Sequence, residues 1–233
     1  MMKNIMLALL LLWSYPLLAI GELPPPFVAK YKLYAKGIPI GEGSRSLSQE
    51  GNKFIFRGET HTTGMLALFR DDKIQEKSIF TVNQGHVQPL EYTYDHEGSK
   101  KQKHLAISFD WQNKVAKNSA DQPWEVPLVE GILDDQVYLI AVMQELQQGK
   151  RQLSYQVADD GKIKTYVPTY LGEEKIKTGV GELATLKYEH ESANKKRKTT
   201  LWCAPLLHYL PVQIEHLEKG DTVRMTLQQV EGL

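Results

Sequence analysis

The chain has 233 residues, and its 28 Lys and Arg balance its 28 Asp and Glu, so overall charge gives no pull toward nucleic acid or an anionic membrane surface. Hydrophobic residues make up 42% and charged residues 24%, an ordinary globular balance, and a chain of this length can bury a core without disulfide or metal staples. The one cysteine, Cys203, excludes an intramolecular disulfide; between Trp202 and Ala204 in a strand-like run it reads as a small core residue.

The first residues have the layout of a secretory signal. Lys3 supplies a positive n-region, Ile5 to Leu12 form a nearly unbroken apolar run, and Leu17-Leu18-Ala19 offers a small residue at a cleavage position. The apolar run is short for a bilayer span. Cleavage after Ala19 is expected, leaving residues 20–233 as a single β-rich domain in the periplasm, without a lipid-anchored cysteine and without a membrane-spanning helix.

After the stiff Leu23-Pro24-Pro25-Pro26 segment the pattern turns to alternation. Phe27, Ala29, Tyr31, Leu33 and Ala35 fall on one face, which is the period of a half-buried strand. Gly37-Ile38-Pro39 turns the chain, Ile40 to Ser48 runs back, and Phe54 to His61 is a third strand. Ser78 to Asn83 and Leu90 to Tyr94 follow, with Tyr92 and Tyr94 on a shared face, then a turn at His96-Glu97-Gly98-Ser99, a strand through Leu105, Ile107 and Phe109, and a short strand within Trp111 to Lys117. Asp134 to Gln148 breaks the rhythm. An Asp cap, Leu139, Val142, Met143 and Leu146 at helical spacing, and Gly149 as a stop predict one substantial helix, packed on a sheet edge or across a barrel mouth. Strands resume with Leu153 to Ala158 and Lys162 to Val167, joined at Asp159-Asp160-Gly161 by a strong hairpin signal. Glu174 to Thr178, Leu183 to Glu191, Thr199 to Ala204, Val212 to Leu217 and Val223 to Val230 complete the set, with Lys195 to Lys198 in a solvated turn. The expected fold is all-β and mainly antiparallel: a curved or barrel-like sheet with one helix.

Chemistry is sparse. The seven histidines (His61, His86, His96, His104, His190, His208 and His216) show no zinc-site spacing, and HExxH, GxSxG, SxxK and Walker patterns are absent. No metal or cofactor is expected. The adjacent acids Asp134-Asp135, Asp159-Asp160 and Glu173-Glu174 read as caps, turns and exposed charge. Two apolar features remain. Gly64-Met65-Leu66-Ala67-Leu68-Phe69 reads as a buried strand or, functionally, as an apolar lip; on the second reading Met65, Leu66, Leu68 and Phe69, together with Trp111 and Trp202, are the candidate ligand-binding residues.

The turn to Ile40-Gly41-Glu42, then Phe109-Asp110-Trp111, the Asp134-Asp135 helix start closing at Gly149, the Gly181-Glu182 turn, Leu201-Trp202 and the run Leu210-Pro211-Val212-Gln213-Ile214-Glu215 together resemble the exported bacterial family of unknown function numbered 3108. The resemblance covers nearly all of the chain after the signal. It implies a periplasmic β domain and supplies no catalytic residues. Three functions are carried forward. The first is a non-enzymatic module that binds or carries an apolar or amphipathic envelope molecule such as a lipid. The second is a protein-interaction or scaffold factor in envelope assembly, and the third an enzyme, of hydrolase type. Whether the sheet encloses an empty apolar space or a packed one separates the first two.

Overall fold

The computed structural model describes residues 23–67, 71–98 and 102–233. The signal segment, with Lys3 and Ala19, lies outside the described residues.

Two antiparallel meanders are fused into one sheet. The first runs through β1 (Phe27–Ala35), β2 (Ile38–Glu50), β3 (Lys53–Thr62), β4 (Lys73–Asn83), β5 (His86–Glu97), β6 (Lys103–Asp110), β7 (Val115–Asn118) and β8 (Trp124–Pro127). A smaller sheet intervenes: β9 (Ile132–Leu133) pairs parallel with β10 (Tyr155–Asp159), which pairs with β11 (Lys162–Tyr166). The second meander is β12 (Thr169–Thr178), β13 (Gly181–Glu191), β14 (Arg197–Ala204), β15 (Leu210–Glu218) and β16 (Asp221–Glu231). Because β16 pairs with β1, the result is a 13-stranded antiparallel sheet whose two ends, β12 and β8, are edges.

The sheet curls. In β16 the register slips opposite Lys30 and Tyr31, and the Leu227 carbonyl accepts a hydrogen bond from Gly179 N–H (2.8 Å) at the turn closing β12. A β-bulge sharpens twist in this way, and here it brings a strand end back across the sheet. The approach is close enough that a Cβ on Gly179 would sit 2.4 Å from the Gln228 carbonyl oxygen, so a glycine is required. A second slip between Trp202 and Cys203 accommodates Pro211 inside β15, and the freed Pro211 carbonyl accepts the Tyr31 hydroxyl (2.9 Å).

Alternation was legible and held. β1 buries Phe27, Ala29, Tyr31 and Leu33, and the Asp160-Gly161 hairpin has positive φ at both residues (49° and 71°), as a two-residue turn of this type needs. Two readings are corrected. Gly64–Ala67 is a short helix, α1, and not a strand. His96 lies within β5 and is buried, because that strand continues past the expected turn. The short strands β8 and β9 had no periodic signal.

The helix α2 (Tyr138–Gln147) is shorter than its predicted span. Residues 134–137 form the entry turn, in which Asp134 Oδ1 accepts from the backbone N–H of Gln136 (2.9 Å) and Val137 (2.7 Å). Gly149 (φ 82°) ends it, with Gly149 N–H to the Leu146 carbonyl and Lys150 N–H to the Glu145 carbonyl, a Schellman arrangement. α2 packs at the end of the curled sheet that carries the β4–β5 turn, where Gln144 Nε2 donates to the Gly85 carbonyl (3.1 Å). Leu139, Ile140, Ala141, Val142, Met143 and Leu146 are all buried, and they join one core cluster with Phe27, Phe56, Phe80, Tyr188, Cys203, Val212 and Leu227 from across the curled sheet. The helix fills the apolar interior. At roughly 1.5–3 kcal/mol per large apolar side chain, this burial supplies on the order of 10 kcal/mol. A second, smaller cluster (Tyr92, Ile107, Phe109, Ala116, Val126, Ile132 and Ala158) lies under the β5–β8 end.

Leu146→Ala leaves a cavity in the helix–sheet interface and is expected to cost about 2–5 kcal/mol in a urea-denaturation measurement. Leu206→Ala, at a side chain 77% exposed, is expected to change stability by less than about 0.5 kcal/mol.

Candidate functional site

Strand pairing aligns residues in rows on the concave face. Leu47, Phe56, Ser78, Tyr92 and Ile107 form one row, and Ala29, Arg45, Gly58, Glu76, Tyr94 and Leu105 form the next. Polar residues therefore stand among the inward positions of β2 and β4 (Arg45, Glu76 and Ser78), beside apolar Leu47, Phe56 and Phe80. This has a sequence cause: in β2 and β4 the inward residues include Gly43, Arg45, Glu76 and Ser78, so apolar periodicity fades there and no sidedness could be read.

The turn into α2 closes over this polar ground. Ser78 Oγ donates to Asp134 Oδ1 (2.8 Å), and Gln136 Oε1 lies 3.4 Å from the same hydroxyl. Tyr92 donates its hydroxyl to Glu76 Oε1 (2.8 Å). Gly58 leaves room for the arrangement, since a Cβ there would stand 2.8 Å from Gln136 Nε2 and 3.6 Å from Glu76 Oε2. Asp134 is 0% exposed. Burial raises its carboxyl against three hydrogen bonds that favour the ionised form, and burial wins, pushing it up to about 7. Its Oδ2, Gln136 Nε2, and Nε and Nη1 of Arg45 are buried without a hydrogen-bond partner.

On the other side of Tyr92 is an open cleft of about 220 Å³, lined among others by Tyr92, Tyr94, Lys103, Asp135, Arg197 and His216. Asp135 touches solvent at the cleft surface while protein surrounds most of its carboxyl; partial burial, then the nearby Asp159 and Glu76 carboxylates, push it up to about 6. Tyr166 donates its hydroxyl to Asp135 Oδ1 (2.9 Å). Tyr94 is raised to about 12 by burial and by Glu76. The other charged groups are mutually paired: Lys103 with Asp160 (2.8 Å), Lys164 with Asp159 (2.5 Å) and Arg197 with Glu218 (3.2 Å). His216 lines the cleft, and its Nδ1 lies 3.1 Å from Thr199 Oγ1. His96 pairs with Asp72 at 3.4 Å. Among the described residues no group of His, Cys, Asp and Glu could hold a metal ion.

Of the six residues predicted to bind ligand, Trp111 and Trp202 are the two whose side chains are described. Leu68 and Phe69 lie outside the described residues, as do the side chains of Met65 and Leu66, although the backbone of the latter pair belongs to α1. Trp111 packs against the smaller core cluster and donates its indole N–H to the Pro89 carbonyl (2.7 Å). Trp202 is buried on the face of β14 opposite Leu201 and Cys203, with its N–H on Glu174 Oε2 (2.9 Å) and the Lys187 ammonium 4.8 Å from its ring centre. Both indoles are held by protein partners. Cys203 is buried, and burial pushes its thiol up to about 12, as a core residue requires.

A buried carboxyl that titrates high makes folding pH-dependent. The unfolded Asp134 ionises near its ordinary value of 3.8 and the folded one near 7, so between those values the folded state holds the extra proton. Stability from this group is full below about 4 and falls as pH rises toward 7. The melting-temperature advantage of wild type over Asp134→Asn is expected to shrink across pH 4 to 7 and to level off above it, as read by differential scanning fluorimetry.

Among the described residues no helix is long and apolar enough to cross a membrane. No curated protein matches the chain. Among solved structures it is similar to a crystal structure described as a β-barrel-like protein of domain of unknown function DUF1849 from Brucella abortus, with a TM-score of 0.63 and 8% identity over 91% of this chain and 99% of that one. At that identity the likeness is one of fold. The family model for "Protein of unknown function (DUF3108)" matches residues 30–228, most of the length, and the chain belongs to that family.

Proposed function

We propose that this protein is an exported, non-enzymatic binding module of the cell envelope, and that it takes its ligand by a polar group in the cleft at the open end of the curled sheet. The observation that carries the reading is the division of the interior. Helix α2 occupies the apolar part, so an amphipathic ligand has its polar head to offer, and the site suited to it is the cleft bearing Tyr92, Tyr94 and Asp135. Tyrosines at the rim of a polar recess give large contact area with few rotors and a hydroxyl for hydrogen bonding. The paired Lys–Asp and Arg–Glu groups around it set orientation rather than chemistry.

Export is supported by the Lys3, Ile5–Leu12 and Ala19 pattern. Edman sequencing of protein from the periplasmic fraction is expected to begin at Ile20; recovery of uncut chain in the cytoplasm would remove the compartment from the proposal.

Native mass spectrometry of protein purified without detergent from its own envelope fraction is expected to show a bound species. Tyr94→Ala combined with Asp135→Asn is expected to reduce its occupancy at least about tenfold, the loss of one or two charge-assisted hydrogen bonds. Full occupancy in that variant would contradict the cleft as the site.

A second reading, an interaction factor, is favoured by one surface. The edge strand β12 and the residues leading into it expose Val167 (53%), Tyr170 (41%) and Leu171 (50%) beside unpaired strand backbone. Such an edge can accept an extended segment of an envelope protein. A photo-crosslinker at Tyr170 that captures one defined partner in cells, while the cleft variant keeps that crosslink, would favour this reading over the first.

A further inference from the structure

We propose that Arg45 and Gln136 form a recognition site for a carboxylate group, which gives the chemical class of the ligand and rests on the cleft reading above. Both side chains reach the space over Gly58: a Cβ built there would lie 2.8 Å from Gln136 Nε2 and 3.8 Å from Arg45 Nη1. Gln136 is 1% exposed, and its Nε2 has no acceptor. Arg45 Nε and Nη1 are likewise buried without an acceptor. Arginine stays charged at every working pH, so its guanidinium cannot relieve the situation by losing a proton as a lysine or histidine would.

The neighbouring acids do not take this role. Glu76 Oε2 would lie 3.6 Å from the same Gly58 position, yet the two side chains make no ion pair within 4.0 Å, and Glu76 Oε1 is engaged by the Tyr92 hydroxyl. Asp134 spends its Oδ1 on Ser78 and on the backbone of the entry turn, and its Oδ2, itself unpartnered, makes no hydrogen bond to Arg45 or Gln136. Tyr31 and Tyr138 feel the Arg45 charge, but the Tyr31 hydroxyl already donates to Pro211. What remains is a fork of guanidinium N–H groups beside an amide NH₂, a donor set that matches the two oxygens of a carboxylate. The closeness of Glu76 sets the limit: the site suits a single negative charge, and a dianion would meet repulsion.

Acetate is the probe. In ¹⁵N-NMR titrations of the protein at constant ionic strength, the Arg45 Nε–H and Gln136 side-chain NH₂ signals are expected to shift saturably with acetate. Two variants are to be compared. Arg45→Met removes the charge. Gln136→Glu removes a donor and gives Arg45 an internal carboxylate, so the fold is supported while the site is closed. Each is expected to weaken acetate at least about tenfold, with the backbone spectrum otherwise retained. Shifts that do not saturate in wild type, or the same saturation in both variants, would overturn the proposal. The readout needs no native ligand, so an empty cleft in mass spectrometry with intact acetate binding would sink the cleft reading and leave this site standing.

Discussion

A helix with Leu139, Ile140, Val142, Met143 and Leu146 all out of water has to be surrounded, and surrounding it is what the 13-stranded sheet does. An open antiparallel sheet of that width must curl, and the bulges opposite Tyr31 and at Trp202–Cys203 place the curl where β16 and β15 turn toward the helix. Residues far apart in sequence then meet on one apolar body: Phe27 and Tyr31 from the first strand, Phe56 and Phe80 from the next meander turns, and Tyr188, Cys203 and Leu227 from the C-terminal half. Neither meander could bury its inner face alone.

The same arrangement explains where polarity is allowed. The turn that delivers the chain into α2 crosses strands β3 to β5, and its own backbone donors need acceptors away from water. Asp134 supplies them, Ser78 holds Asp134, and Gly58 leaves space for Gln136. A polar floor follows from that entry turn, and beyond it the sheet opens into the cleft of Tyr94 and Asp135. Burying donors such as Arg45 Nη1 and Gln136 Nε2 without acceptors costs about 1–3 kcal/mol each. These unused donors are the groups that the proposed carboxylate site would employ.

Sequence periodicity reached the strands and the helix because both have one oily face at fixed spacing. Phe27 to Ala35 and Leu139 to Leu146 could be read directly, and so could the Asp160-Gly161 hairpin and the Gly149 stop. The burial of α2 on nearly every face could not: four apolar residues at helical spacing look the same on a sheet surface as inside a curl, and only Ile140, Ala141 and Gln144 on the remaining faces hinted at it. The candidate site was missed for a related reason. Arg45 comes from β2, Glu76 and Ser78 from β4 and Gln136 from the entry turn, and each looks like a surface residue by itself. The Asp134-Asp135 pair, read as the helix cap, sits in the turn before Tyr138, and nothing in its spacing shows that one carboxyl is sealed and the next stands in a cleft. Of the aromatic candidates, Trp111 and Trp202 donate their indole N–H groups to Pro89 and Glu174, partners that no spacing in the sequence announces.

Native-state hydrogen exchange tests the division between a solid apolar interior and a polar open end most directly. If α2 is the packed centre, its amides from Ala141 to Leu146 exchange only through global unfolding, among the slowest in the molecule, while amides around the cleft rim exchange through small local openings. Fast exchange of the α2 amides under native conditions, with the strands still protected, would mean that the helix leaves the sheet readily and that the interior is a space to be filled.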